Sequence, residues 1–210
     1  MKTNDTYKSP PALDRIQALA LGVGGIALLI WAVGCYMDTE VALRGWLLGY
    51  VFWAGIGIGG LGILLLQYLT GGAWGVVLRR VAEACSRTIP LLAILFIPIA
   101  AAVYTDNLYD WTALKKGGAD RVIEWRGWYM EPFWWVFRSF LYFVLFGVMA
   151  FLLSKWGRQQ DESEDYEASA TFLGTATAFS GPTLVIYVLL VTLASVDWLM
   201  TLEPHWFSTI

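Results

Sequence analysis

The stretch WLLGYVFWAGIGIGGLGILLLQYLT, Trp46 to Thr70, runs 25 residues without a charged side chain. A helix needs about 20 mostly apolar residues to cross a hydrocarbon core of ~30 Å. Lipid offers backbone amides no partner, so a segment like this has to satisfy them internally, as a helix does. Four further stretches share the property: 16–36, 89–105 (opened by Pro90), 132–154 and 171–196. None alternates with a period of two, as a membrane β-barrel strand would. The expectation is an all-α polytopic membrane protein with about five transmembrane helices. They form a leading helix plus a four-helix bundle, in one membrane domain covering 1–210. The first span is too long for a cleaved signal peptide and follows Lys2, Asp5, Lys8, Asp14 and Arg15, so it reads as a retained helix.

Composition agrees. Of 210 residues 58% are hydrophobic and only 15% charged, against about 45–50% and about 25% in soluble domains. The chain lacks the charge to coat a water-facing surface. Twelve Trp, ten Tyr and eleven Phe exclude disorder. A net charge of −3 gives no support to nucleic-acid binding. Cys35 and Cys85 are too few and too far apart for a disulfide framework, a zinc site or an iron–sulfur cluster. One histidine, His205, excludes a bis-histidine haem held within this chain.

The basic residues set an orientation. Eight (Lys2, Lys8, Arg15, Arg79, Arg80, Arg87, Lys155, Arg158) fall on the side of the N-terminus. Six (Arg44, Lys115, Lys116, Arg121, Arg126, Arg138) fall opposite. That bias places the N-terminus in the cytoplasm. Residues 73–87 put Arg79, Arg80, Glu83 and Arg87 opposite Trp74, Val77, Leu78 and Val81, which predicts an interfacial amphipathic helix. The acidic loop 161–167 reads as a solvated connector or as a docking patch for a basic partner. The outer loop, 106–131, runs into Trp125, Trp128, Tyr129, Phe133, Trp134, Trp135 and Phe137. An aromatic belt at the membrane surface accounts for most of these. Arg126, Glu131 and Arg138 among them also suit a protein-covered interface.

Gly57, Gly59 and Gly62 match G-x-G-x-x-G, but they lie mid-span without a preceding strand, so a dinucleotide site is rejected. Gly55 and Gly59 form a G-x-x-x-G step and predict close helix packing there. Pro98 and Pro182 predict kinks. No Asp, Glu or Lys falls deep inside any predicted span, and Arg138 lies near a span end. The fifth span carries Thr171, Thr175, Thr177, Ser180, Thr183, Tyr187, Thr192 and Ser195. These hydroxyls bond back to carbonyls or to a neighbouring helix, or they line a wet path ending at Asp197. Asp197, Glu203 and His205 are placed just beyond that span. Imidazole titrates near neutrality, so His205 beside a carboxylate suits proton exchange with quinol or water. The plainer reading is a cap on a surface turn. One His and two carboxylates make a poor zinc set.

The closing segment, Asp197-Trp198-Leu199-Met200-Thr201-Leu202-Glu203-Pro204-His205-Trp206-Phe207-Ser208-Thr209-Ile210, resembles the signature of the NrfD-like integral membrane subunits of alternative complex III. The segment Trp128-Tyr129 to Trp135, with Glu131-Pro132 at a helix start, also resembles this group. The likeness is closest to the F subunit, the second of two related NrfD-like subunits. Elsewhere it is one of hydropathy and span layout. Such subunits have about ten spans in two four-helix bundles, so these five look like the N-terminal half.

The resemblance implies a cofactor-free membrane subunit of a quinol:cytochrome c (or other high-potential acceptor) oxidoreductase in the bacterial inner membrane. It scaffolds redox partners, helps to move protons, and is not catalytic alone. The implied partners are membrane lipids, the sister NrfD-like quinol-site subunit, an iron–sulfur subunit and multihaem cytochrome c subunits. Haem c and iron–sulfur clusters belong to those partners, and quinol is the small molecule in question. Candidate proton- or quinol-handling residues are Asp197, Glu203, His205, Tyr187, Thr183 and Ser180, with Arg126, Glu131 and Arg138 second. Two rivals stay open. The chain binds quinone itself through Trp128–Trp135 and His205, or it is a small transporter or channel.

Overall fold

The computed structural model describes residues 11–72, 74–117 and 121–205. Lys2 and Lys8 of the orientation count, Asp5 beside them, and Trp206 to Ile210 of the closing segment lie outside the described residues. The elements in chain order are α1 (Pro11–Met37), α2 (Thr39–Thr70), α3 (Trp74–Ser86), α4 (Ile89–Leu95), α5 (Ile97–Ala102), α6 (Asp110–Gly117), α7 (Arg121–Arg126), α8 (Pro132–Glu162) and α9 (Tyr166–Trp198). A 3-10 turn, Met200–Leu202, follows. Among the described residues there is no strand. Five segments are long and apolar enough to cross a bilayer: Leu13–Met37, Thr39–Thr70, Val77–Ala102, Pro132–Glu162 and Tyr166–Leu202. The chain is an all-α, multi-pass membrane protein, and its exposed apolar side chains face lipid.

The chain divides after Trp46 into two compact units. The first holds α1 and the opening turns of α2. The Asp38 carboxylate accepts from the Val41 amide at 3.1 Å, which starts α2. The Trp31 indole donates to the Ala42 carbonyl at 3.0 Å and its ring lies 4.4 Å from that of Trp46. Leu19, Leu21, Leu29 and Ile30 are all exposed, so this helix is apolar around its circumference, as a lipid-bathed span is.

The second unit holds the rest. Gly71 and Gly72, at φ +65° and +93°, end α2 in the left-handed region where a side chain is strained. Helix α8 starts on extended Glu131 with Pro132 in its first turn, where the missing N–H costs nothing. Helix α9 starts at Asp165, whose carboxylate accepts from the Glu167 amide at 3.1 Å, and it continues through Pro182.

Several boundaries differ from the sequence reading. The third span is not one helix: α4 and α5 meet at Phe96, and Pro98 removes the donor that would have bonded the Ile94 carbonyl. Helix α3 leads on into α4. Thr88 is helical at the junction, and amide bonds from Arg87 to Glu83, Thr88 to Cys85 and Leu92 to Thr88 lead on into α4. Close packing on α2 uses other glycines than Gly55 and Gly59, which have open space at the Cβ position. A Cβ at Gly57 would lie 2.6 Å from Leu92 Cδ1, and one at Gly60 2.6 Å from Cys85 Cβ, so these two admit α3 and α4. A Cβ at Gly62 would meet the Tyr187 hydroxyl at 2.6 Å, so this one admits α9. Loop 106–131 contains α6 and α7 and is anchored by Tyr109, Trp111 and Met130, all buried.

Candidate functional site

Helix α8 presents Trp135, Arg138, Ser139 and Tyr142 at i, i+3, i+4 and i+7, one face of a helix. That face meets the last turn of α9. Asp197, expected beyond the fifth span at its mouth, lies instead inside α9 and is fully buried. Two extra residues of helix carry it under the aromatic layer, where water is excluded. A carboxylate there needs a full set of donors, and it has them. Arg138 donates from Nε to Oδ2 and from Nη2 to Oδ1, both at 2.9 Å, and the Tyr142 hydroxyl donates to Oδ2 at 2.7 Å. The two-pronged guanidinium–carboxylate geometry is the strongest form of this pairing.

Main-chain atoms are tied in as well. The Trp135 indole donates to the Asp197 carbonyl at 2.8 Å, and the Thr201 hydroxyl donates to the same oxygen. The Tyr109 hydroxyl donates to the Trp198 carbonyl at 3.1 Å. The Trp198 indole donates to Ser139 Oγ at 3.0 Å, and that hydroxyl in turn donates to the Trp135 carbonyl. Trp198 stacks on Phe143 at 5.3 Å and packs on Phe96 at 4.9 Å, while Phe96 stacks on Trp135 at 5.8 Å. These rings form an apolar shell around the ion pair.

Tyr129 closes the remaining side. Its ring centre lies 3.9 Å from the Arg138 guanidinium carbon, and its carbonyl accepts from Nη2 at 3.0 Å. Burial, with the Asp197 carboxylate adding to it, pushes the Tyr129 phenol up to about 12 against the cations Arg138 and Arg126. Burial likewise raises the Tyr109 phenol, with Asp197 contributing. Both phenols are therefore donors at neutral pH. The Arg138 Nη1 and the Tyr50 hydroxyl are two of several buried polar atoms without a hydrogen bond.

Ser180 and Thr183 lie away from this cluster, while the Arg126 charge acts on its Tyr129. Ser180, Thr183 and Tyr187 lie 17, 14 and 10 residues earlier on α9, about 25, 21 and 15 Å along its axis at ~1.5 Å per residue. The Ser180 hydroxyl donates to the Ala176 carbonyl at 2.7 Å, and Thr183 is buried. Thr171, Thr175, Thr192 and Ser195 also donate to the carbonyl four residues back. Thr177 and Tyr187 reach α2 instead, at the carbonyls of Tyr68 and Ile58. Glu203 and His205 are exposed beyond the 3-10 turn. Glu131 pairs with Lys115, and Arg126 Nη1 lies 3.9 Å from Met130 Sδ. Among the described residues, no three His, Cys, Asp or Glu side chains converge as a metal site requires.

Tyr142, Tyr109, Ser139 and Trp198 are members that the sequence reading did not select. A signal for them existed: Ser139 and Tyr142 share a stripe with Arg138 on an otherwise apolar helix. Around the cluster the end of the unit is rich in exposed rings, with Trp125 94%, Trp128 69% and Phe133 60% exposed. Comparison with models of known protein families finds no match, and a search of curated proteins finds none either.

Proposed function

We propose that the chain is a membrane subunit of a quinol-oxidising electron-transfer complex of the alternative complex III type, of the NrfD-like kind. In this reading it holds redox partners and carries no redox group of its own. One observation supports it above others: the two segments that carry the resemblance meet at a single point. The Trp135 indole of one donates to the Asp197 carbonyl of the other at 2.8 Å, and the Arg138–Asp197 pair locks the same junction. A carboxylate saturated with donors and sealed by rings is a clamp. The clamp keeps a surface of Trp125, Trp128, Phe133 and Trp134 in fixed register, and exposed Trp and Arg are common anchors for partner proteins.

The proposed setting is a bacterial inner membrane with the N-terminus in the cytoplasm and the Asp197 end outside. The partners are a sister NrfD-like subunit bearing the quinol site, an iron–sulfur subunit and multihaem cytochromes c. The reading that the chain binds quinol itself has one point in its favour, the buried and unpartnered Arg138 Nη1.

The test is a tagged pull-down from gently solubilised membranes, with a reduced-minus-oxidised spectrum and a quinol:cytochrome c assay on the eluate. The expected result is haem c bands and quinol-dependent reduction. A colourless, inactive eluate from well-folded protein would reject the proposal.

A further inference from the structure

A groove leads from the aromatic cluster toward the opposite end of the second unit. Helices α4 and α5 and the middle of α8 flank this groove of about 530 Å³, within the usual size of small-molecule pockets, ~300–1,000 Å³. Its walls are apolar, with Ile89, Ala93 and Ala100 on one side and Val144, Gly147 and Phe151 on the other. The one hydroxyl among its lining residues, that of Ser139, is already spent on Trp135 and Trp198. Its wall on α4 and α5, Ile89 to Ala100, runs about 16 Å and its wall on α8, Val136 to Phe151, about 22 Å at ~1.5 Å per residue, against ~30 Å for a whole hydrocarbon core. It is at least one leaflet deep.

Both walls end in cations at the same end. On α8 the stripe Val144, Val148, Phe151 continues at helical spacing into Lys155 and Arg158, both exposed. On the facing side Arg87 lies two residues before α4. Its Nε donates to Ser154 Oγ at 3.5 Å, which bridges the mouth of the groove, and half of its side chain stays exposed. Two of the carboxylates at this end are paired, and one of them shares Arg87. Glu83, buried, pairs with Arg87 at 3.1 Å and Arg80 at 3.4 Å, and Asp161 pairs with Arg80 at 2.5 Å. Glu162 is exposed in the last turn of α8. Glu164, Asp165 and Glu167 follow in the turn to α9 and its start, so this end as a whole carries no excess of cations. Along α8, however, Lys155 and Arg158 come first after Phe151, and the carboxylates lie at least three residues beyond Arg158. At the groove's other end Arg138 is neutralised by Asp197.

We infer that this groove is a specific site for an anionic phospholipid. One acyl chain lies between α4–α5 and α8, and the phosphate-bearing headgroup sits on Arg87, Lys155 and Arg158. Apolar walls of at least one leaflet's depth select a chain, and the cations at one mouth select a negative headgroup and fix which way it points.

The test is native mass spectrometry of the purified, delipidated protein with phosphatidylglycerol or phosphatidylcholine of identical chains. The wild type is expected to retain one phosphatidylglycerol in preference to phosphatidylcholine. Lys155→Gln and Arg158→Gln should each lower phosphatidylglycerol retention roughly fivefold and leave phosphatidylcholine unchanged. Gly147→Leu, at a position with no atom within 4 Å of its Cβ, should fill the groove and lower retention of both lipids. Val148→Trp is a second groove-filling variant, and melts followed by tryptophan fluorescence confirm that each variant is folded. Equal retention of the two lipids by wild type, or unchanged retention in the glutamine or groove-filling variants, overturns the inference. So does a photo-crosslinker at Val148 that yields a protein adduct in native membranes, because the groove would then house a partner helix.

Discussion

Replacing Asp197 by Asn keeps the shape of the side chain and removes its charge. Arg138, only 15% exposed at its side chain, then loses its counter-ion inside a shell of Trp135, Trp198, Phe96 and Phe143. The new amide also sets a donor against the donors of Arg138 and Tyr142, which now converge on two acceptors. Removing one partner of a buried pair costs about 3–5 kcal/mol, because the other charge stays buried and uncompensated. For a chain of 150–250 residues, a loss of 1 kcal/mol lowers Tm by about 2–4 °C, so a drop of roughly 6–20 °C is expected. The assay is a thermal melt of the detergent-purified protein by tryptophan fluorescence. Arg138→Met should cost a similar amount, and the double variant less than the sum of the two, because no unpaired charge remains. A single Asp197→Asn variant that melts within 2 °C of wild type would refute the claim that this pair clamps α8 to α9. Strict additivity in the double variant would do the same.

Glycine substitutions on α2 should separate its faces. Gly60→Ala, whose Cβ would lie 2.6 Å from Cys85 Cβ and 3.1 Å from the Ala82 carbonyl, should cost about 1–3 kcal/mol by overpacking. Gly59→Ala, with open space, should be neutral or gain up to about 1 kcal/mol of helix propensity; matched melts decide. The raised Tyr129 phenol gives a pH signature. Its folded value, about 12, lies above the ordinary 10, so its contribution to stability is complete below pH 10 and is lost between pH 10 and about 12. Denaturation across that window should show a decline that Tyr129→Phe lacks; identical profiles would count against burial of the phenol. On the proposed function, His205→Ala, at a position exposed beyond the 3-10 turn, should lower turnover of the proposed complex more than its yield. Equal loss of both would assign the histidine to capping.

The spans were legible because crossing a bilayer demands sustained apolar length, and 46–70 meets that demand without one charge. Their ends were not, because a helix can run on into polar sequence, as α8 does from Lys155 to Glu162. That mattered most at Asp197. A two-residue extension of α9 turns a surface carboxylate into a buried one, and hydropathy carries no signal at that resolution. The glycine pattern on α2 announced close packing, but Gly55 and Gly57 point about 200° apart on a helix of ~3.6 residues per turn. Which face is used depends on where α3 and α4 land, a tertiary fact. Arg138 stands out in the sequence by its company of rings. Tyr142 does not, because a Tyr in an apolar helix is usually core, and only its partner across the bundle marks it out.

The central claim, that the ring-rich end around Asp197 is a docking face for redox partners, is tested most directly by site-specific photo-crosslinking in native membranes. One crosslinker replaces Trp128, exposed at that end, and a control replaces Leu189, exposed on α9 eight residues before Asp197. The account predicts a high-mass adduct from Trp128 that stains for covalently bound haem, and none from Leu189. No protein adduct from Trp128, or the same adducts from both positions, would contradict it.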